Sequence, residues 1–194
     1  MPGRTPYEAY SAFVTPLANA LSCVARVKIL CSAGGKTSLG RVHRLYLGGN
    51  EAGDHVKLAG DVRLELRARM RYEIIEDERK DYGPYRIRTR AYEYSLRQQN
   101  GQAVLEYHWH PDGVSHEVRP HIHLGSTQLR PEAVLTNKDH TLSGRMTLES
   151  VIRQAINYGV EPLHDDWDDR LTGAETPHLL YRSWHANPSA EQRT

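Results

Sequence analysis

Apolar and polar residues alternate over long stretches of this chain, and a period of two predicts a protein built mainly from β-strands. The longest run is "DVRLELRARMRYEII", where Val62, Leu64, Leu66, Ala68, Met70, Tyr72 and Ile74 alternate with Arg63, Glu65, Arg67, Arg69, Arg71 and Glu73. One side of such a strand belongs in a core and the other in water. "YRIRTRAYEYSLR" and "AVLEYHWH" continue the pattern on either side of Asn100-Gly101, a strong hairpin signal. Shorter runs at 23–31 and 41–47 flank the turn "SAGGKTSLG". "SHEVRPHIHL", after the tight turn "HPDG", reads as a further strand at a sheet edge, because Pro120 cannot donate to a ladder.

Two segments follow a helical period. Near the N-terminus Thr5 is placed to cap a helix with Pro6 at its first position and Glu8 in its first turn, although Pro16 interrupts it. "TLESVIRQAINYG" is the better helix: Thr147 caps it, Leu148, Val151, Ile152, Ala155 and Ile156 form one stripe, and Gly159 ends it. The acidic stretch "EPLHDDWDDRL" suggests another short helix. The expectation is an α+β domain over residues 1–171, with a twisted, mainly antiparallel sheet of five to seven strands and one or two helices packed on it. Residues 172–194 have the composition of a flexible tail.

The Asn-Gly turn sets a testable register. With Asn100 and Gly101 as its central residues, Leu96 faces Leu105, Tyr94 faces Tyr107 and Tyr92 faces Trp109 on one side. Ser95 then faces Glu106, Glu93 faces His108 and Ala91 faces His110 on the other. In the longer hairpin, pairing Ile74 with Tyr85 keeps apolar faces together, at the cost of setting Arg71 against Arg88 and Arg69 against Arg90. Tyr92 and Tyr94 share a side with Arg86, Arg88 and Arg90 unless a bulge near Ala91 switches them. Without that bulge, Arg88 and Arg90 with Tyr92, Tyr94, Tyr107 and Trp109 make a surface for phosphates and splayed bases. With it, the rings are core.

Composition adds three constraints. Of 25 basic residues, 20 are Arg, which suits bidentate recognition of phosphate or carboxylate, while a net charge of +1 confines any such binding to a local patch. Cys23 and Cys31 fall on one face of the strand expected at 23–31, too far apart to bond, and read as buried thiols of a cytoplasmic protein. No apolar run reaches the roughly 18 residues of a membrane span, so no membrane association is expected.

The chemistry concentrates in "EYHWHPDGVSHEVRPHIHLGS", which holds five of the eleven histidines: His108, His110, His116, His121 and His123. His121 and His123, two apart on a strand, bring both rings to one side and admit a divalent metal as cofactor. A third ligand is available from His108, His110, His116 or His140. Glu93 across from His108 would orient that ring. The same residues without metal offer general acid and base groups, with Arg119 or Arg90 stabilising phosphoryl charge. No Cys-x-x-Cys, His-Glu-x-x-His, phosphate-binding glycine loop or nucleophile elbow is present.

The order "RAYEYSLRQQNGQAVLEYHWHPDG", "RPHIHL", "TLESVIRQAINYGVEPL" resembles the TumE-like toxins of bacterial toxin–antitoxin modules, over about residues 84–164. The resemblance implies a small antiparallel sheet with a helix against it, a growth-inhibiting activity, and Tyr94, Tyr107, His110, His121 and His123 as the site. The resulting expectation is a toxin-like protein acting on RNA or another phosphate-bearing ligand, with an antitoxin-like partner. Its rivals are a histidine-ligated metal-binding protein and a non-catalytic interaction module.

Overall fold

The computed structural model describes residues 2–48, 54–78, 83–112 and 117–181. Most of the alternating stretches become strand, although only the end of the 23–31 run and of the run before Gly125 do so: β1 (Pro2–Gly3), β2 (Ile29–Cys31), β3 (His43–Leu47), β4 (Val56–Lys57), β5 (Leu64–Glu76), β6 (Tyr85–Gln98), β7 (Ala103–Trp109), β8 (His121–Leu124) and β9 (Thr141–Leu142). All pair antiparallel in one sheet of order β2-β3-β5-β6-β7-β8-β9, with β1 added to β6 and β4 to β5. The fold is α+β as expected, with nine strands among the described residues rather than five to seven, because two-residue pairings carry no periodic signal.

Among the described residues there are three helices rather than one or two: α1 (Pro6–Ser22), α2 (Leu148–Asn157) and α3 (Trp167–Leu180). The Thr5 hydroxyl accepts from the Glu8 amide at 3.1 Å, and the Thr147 hydroxyl accepts from the Ser150 amide at 3.1 Å, so both expected caps form. α1 runs through Pro16. The roughly 3 kcal/mol that an interior proline costs is offset by burial of Phe13 and Leu17 beside it and Ala20 and Leu21 beyond. The stretch from 172, expected to fray, instead completes α3, where Leu171, Ala174 and His178 are buried against the other helices. Only residues 182–194 of that tail lie outside the described residues. Cys23 caps α1 instead of sharing a strand with Cys31; it is buried and Cys31 half-buried, both as free thiols.

The helices cover one face of the sheet. β6 shows how that face is chosen. Ile87 and Thr89 point inward, then Tyr92, Tyr94 and Leu96, a change of phase by one residue at a bulge opposite the Arg71–Tyr72 step. The bulge sends the arginines and tyrosines to opposite sides. Tyr92, Tyr94, Tyr107 and Trp109 are therefore core: none is more than 4% exposed, Tyr92 stacks on Tyr94 at 4.9 Å, and the Tyr92 hydroxyl accepts from the Met146 amide at 2.9 Å. They offer no face to a base, which corrects their reading as ligand-binding residues.

The bulge also corrects the long hairpin's register to Ile74 opposite Ile87. Glu73 now faces Arg88, Arg69 faces Glu93 and Glu65 faces Arg97, so the expected Arg–Arg pairs between β5 and β6 are replaced by opposite charges. The β6–β7 hairpin keeps its expected partners from Tyr92–Trp109 to Leu96–Leu105. Its turn is one residue longer, since Gly101, at φ +87°, donates to the Gln98 carbonyl at 2.9 Å and a bulge near Arg97 restores the register.

Candidate metal centre

The face turned away from the helices is polar, and antiparallel pairing lays its side chains out in rows. One row runs Tyr46, Arg69, Glu93, His108, His121 from β3 to β8; the next runs Arg67, Ser95, Glu106, His123. β9 pairs His121 with Leu142 and Ile122 with Thr141, and the same register carried one step further sets His140 beside His123. Gly125 permits the turn out of β8, because a Cβ there would lie 1.8 Å from the Ala103 carbonyl oxygen. The chain then travels through the 126–139 loop and returns to the sheet with His140.

Five imidazoles meet at this end of the face. Ring centroids lie 5.2 Å apart for His108–His110, 5.6 Å for His108–His121, 5.0 Å for His108–His123, 5.1 Å for His121–His123, and 4.6 Å from His140 to both His121 and His123. Two sets of three, His108/His110/His121 and His121/His123/His140, each bring one ring nitrogen per residue within 4.8 Å of the others. Tetrahedral zinc with bonds of about 2.0–2.1 Å needs nitrogens about 3.4 Å apart, a distance that small ring rotations reach. His116 lies outside the described residues.

Hydrogen bonding leaves nitrogens of His121 and His108 that could serve as ligands. His121, 2% exposed, donates Nδ1–H to the Arg119 carbonyl at 2.8 Å, which fixes its tautomer and leaves the Nε2 lone pair available. With Nδ1 engaged, His121 has one nitrogen to give, so the two sets compete for it and the geometry favours one ion over two. His108 Nε2 is buried with no hydrogen-bond partner among the described residues. A buried, unsatisfied ring nitrogen is costly unless something completes it.

The cluster also suppresses its own charge. Burial, then the imidazoles of His110, His123 and His121 and the Arg67 guanidinium, push His108 down to about 3. Burial and His121 lower His110, against an opposing pull from Glu93, and burial with His121 and His140 lowers His123. A histidine depressed on folding binds fewer protons folded than unfolded once the pH falls below about 6.5. Its contribution is therefore intact above that pH and is lost on acidification toward 3, at up to about 1.4 kcal/mol per pH unit for each proton. Metal-free protein is accordingly expected to lose stability between pH 7 and 5, read as the urea midpoint in chelator, and His108→Gln is expected to flatten that slope. Equal slopes for the two proteins would contradict the burial of a neutral ring.

The other expected site residues are placed differently. Glu93 stands across from His108, but its carboxylate bonds Arg67. Arg88 and Arg90 both donate to Glu73, at 3.1 and 3.3 Å, and Arg90 reaches Asp112 at 2.9 Å. Arg119 forks onto Glu117 with 3.0 and 2.9 Å bonds. None of these three guanidiniums is held open for phosphate. Ser95 bonds the Glu106 carboxylate at 2.9 Å, as the hairpin register expected. Two other groups carry no local sequence signal: His55 contacts Ser95 at 3.1 Å, and Arg44 faces Arg71 across β3 and β5. Only the strand order brings them here. Among the described residues no helix is long and apolar enough to cross a membrane. Compared with known proteins, the chain matches no family model, no curated protein and no solved structure.

Proposed function

We propose that the protein is a histidine-ligated metal protein whose β7–β8 face holds one divalent transition-metal ion, zinc being the redox-inert case, in a hydrolytic type of site. The observation that carries this reading is the His108/His110/His121 set: two imidazoles on directly paired strands and a third one residue past the end of β7, with ring nitrogens within 4.8 Å, one of them buried and unpartnered. Neutral imidazole is a ligand for zinc, copper, nickel and iron, and three protein ligands leave a position for water or substrate. Metal-free acid–base catalysis has less support, because it needs an imidazolium beside an imidazole and the cluster disfavours charge at His108, His110 and His123. Toxin-like action on RNA, implied by the family resemblance, would use the same centre and is decided by whether metal-loaded protein cleaves RNA in a chelator-sensitive way.

The test is elemental analysis of protein equilibrated with zinc and desalted. About one zinc per chain is expected, as for a single site of this ligand type. Retention of no zinc overturns the reading.

A further inference from the structure

Beyond the metal, the same face carries a pair of guanidiniums that the fold leaves without counter-charge. Arg44 on β3 and Arg71 on β5 are direct cross-strand neighbours, both exposed, and neither has an ion pair among the described residues. Like charges directly opposite one another destabilise a sheet. Elsewhere on this face the arginines are matched: Arg67 with Glu93, Arg88 and Arg90 with Glu73, and Arg97 with Glu65 at 2.8 Å. The unmatched pair sits in the row that leads to the histidines. Arg71 faces Ala91 on β6, and the β6–β7 register, carried one step past Tyr92–Trp109, sets Ala91 beside His110.

The spacing suits a small anion. Two strand spacings, roughly 10 Å, separate the Arg71 backbone from that of His110. The residue between them is an alanine, 5% exposed, whose short side chain lies below the level of the surrounding side chains, so an anion here meets guanidinium and imidazole heads rather than the sheet itself. An Arg side chain is long enough to bring its guanidinium over much of that distance, toward an imidazole approaching from the other side. Two guanidinium forks offer parallel N–H donors in the geometry of phosphate oxygens, which a single ammonium cannot match.

We propose that the strip between the side-chain heads of Arg71 and His110, in the row that runs through Ala91, binds the phosphoryl group of a phosphate ester, with Arg44 and Arg71 gripping its outer oxygens while another oxygen reaches the metal's open position. This rests on the metal reading above and adds the substrate class to it. Arg90, although beside the strip, is tied to Glu73 and Asp112 and is a wall rather than a donor.

The experiment measures zinc content and inorganic phosphate binding by calorimetry on the same preparations of wild type and Arg44→Gln/Arg71→Gln. The expected result is unchanged zinc content with phosphate affinity at least about tenfold weaker in the double variant, and a wild-type affinity that falls steeply with salt. Because both side chains are exposed and repel each other, the variant's thermal midpoint is expected to equal or exceed that of wild type. Equal phosphate affinity in the two zinc-loaded proteins overturns the phosphate strip and leaves the metal centre standing. Absence of zinc from wild type overturns both.

Discussion

His121→Ala protein, equilibrated with zinc beside the wild type, is expected to bind the metal about 100-fold more weakly or worse, a loss of at least ~2.7 kcal/mol. No other single change is expected to do as much, because His121 belongs to both three-histidine sets and is the ring whose tautomer the Arg119 carbonyl holds. The flanking residues discriminate between the sets. If the ion sits on His108/His110/His121, His110→Ala weakens binding by about tenfold or more and His140→Ala has a smaller effect, since loss of a ligand exceeds loss of a neighbour. The strands favour this outcome: His108 and His121 are fixed by direct pairing, whereas His140 arrives on an exposed loop. Wild-type affinity in His121→Ala would remove the shared-ligand geometry altogether.

His178→Ala is expected to cost about 3–5 kcal/mol, because it removes one member of a buried polar pair and strands the other. His178 lies on α3, in the stretch the sequence suggested would fray, with Nδ1 2.6 Å from Glu149 Oε1 on α2 and Nε2 3.0 Å from the Phe13 carbonyl on α1. A carbonyl only accepts, so Nε2 carries a hydrogen and Nδ1 and the carboxyl share another between them. Glu149 is 0% exposed and its second oxygen has no hydrogen-bond partner among the described residues, so without His178 a carboxyl is left alone in the core. Glu149→Gln should cost far less, because the amide can donate to Nδ1 of a neutral ring. For a chain of this size the His178→Ala cost corresponds to a thermal midpoint lower by roughly 10 °C. A shift of only a degree or two would show that the three-helix junction does not depend on this pair.

Much of the histidine cluster was legible in the chain itself. His-x-His on a strand places two rings on one side by period alone, and the Asn-Gly signal was enough to set Glu93 against His108 and Tyr94 against Tyr107, although the turn proved one residue longer. Helix α2, with its cap and stripe, was equally plain. Legibility failed where the answer depended on distant partners. The phosphate-binding arginines named from the sequence turned out to be paired with Glu73, Asp112 and Glu117, whereas the unmatched pair, Arg44 and Arg71, lies 27 residues apart and meets only through the β3–β5 pairing.

By itself, then, the order of residues determined where the long strands β5, β6 and β7 run, how β6 pairs with β7, and that imidazoles gather near the β7–β8 turn, because all of these follow from side-chain alternation and short-range turn chemistry. The tertiary structure decided which face the helices cover, how β5 slides on β6, and that His140 joins the cluster. Those outcomes turn on a one-residue bulge at β6, on the closing of long loops and on the packing of three helices, where competing registers have nearly the same local pattern and only the whole assembly's burial and charge matching separates them.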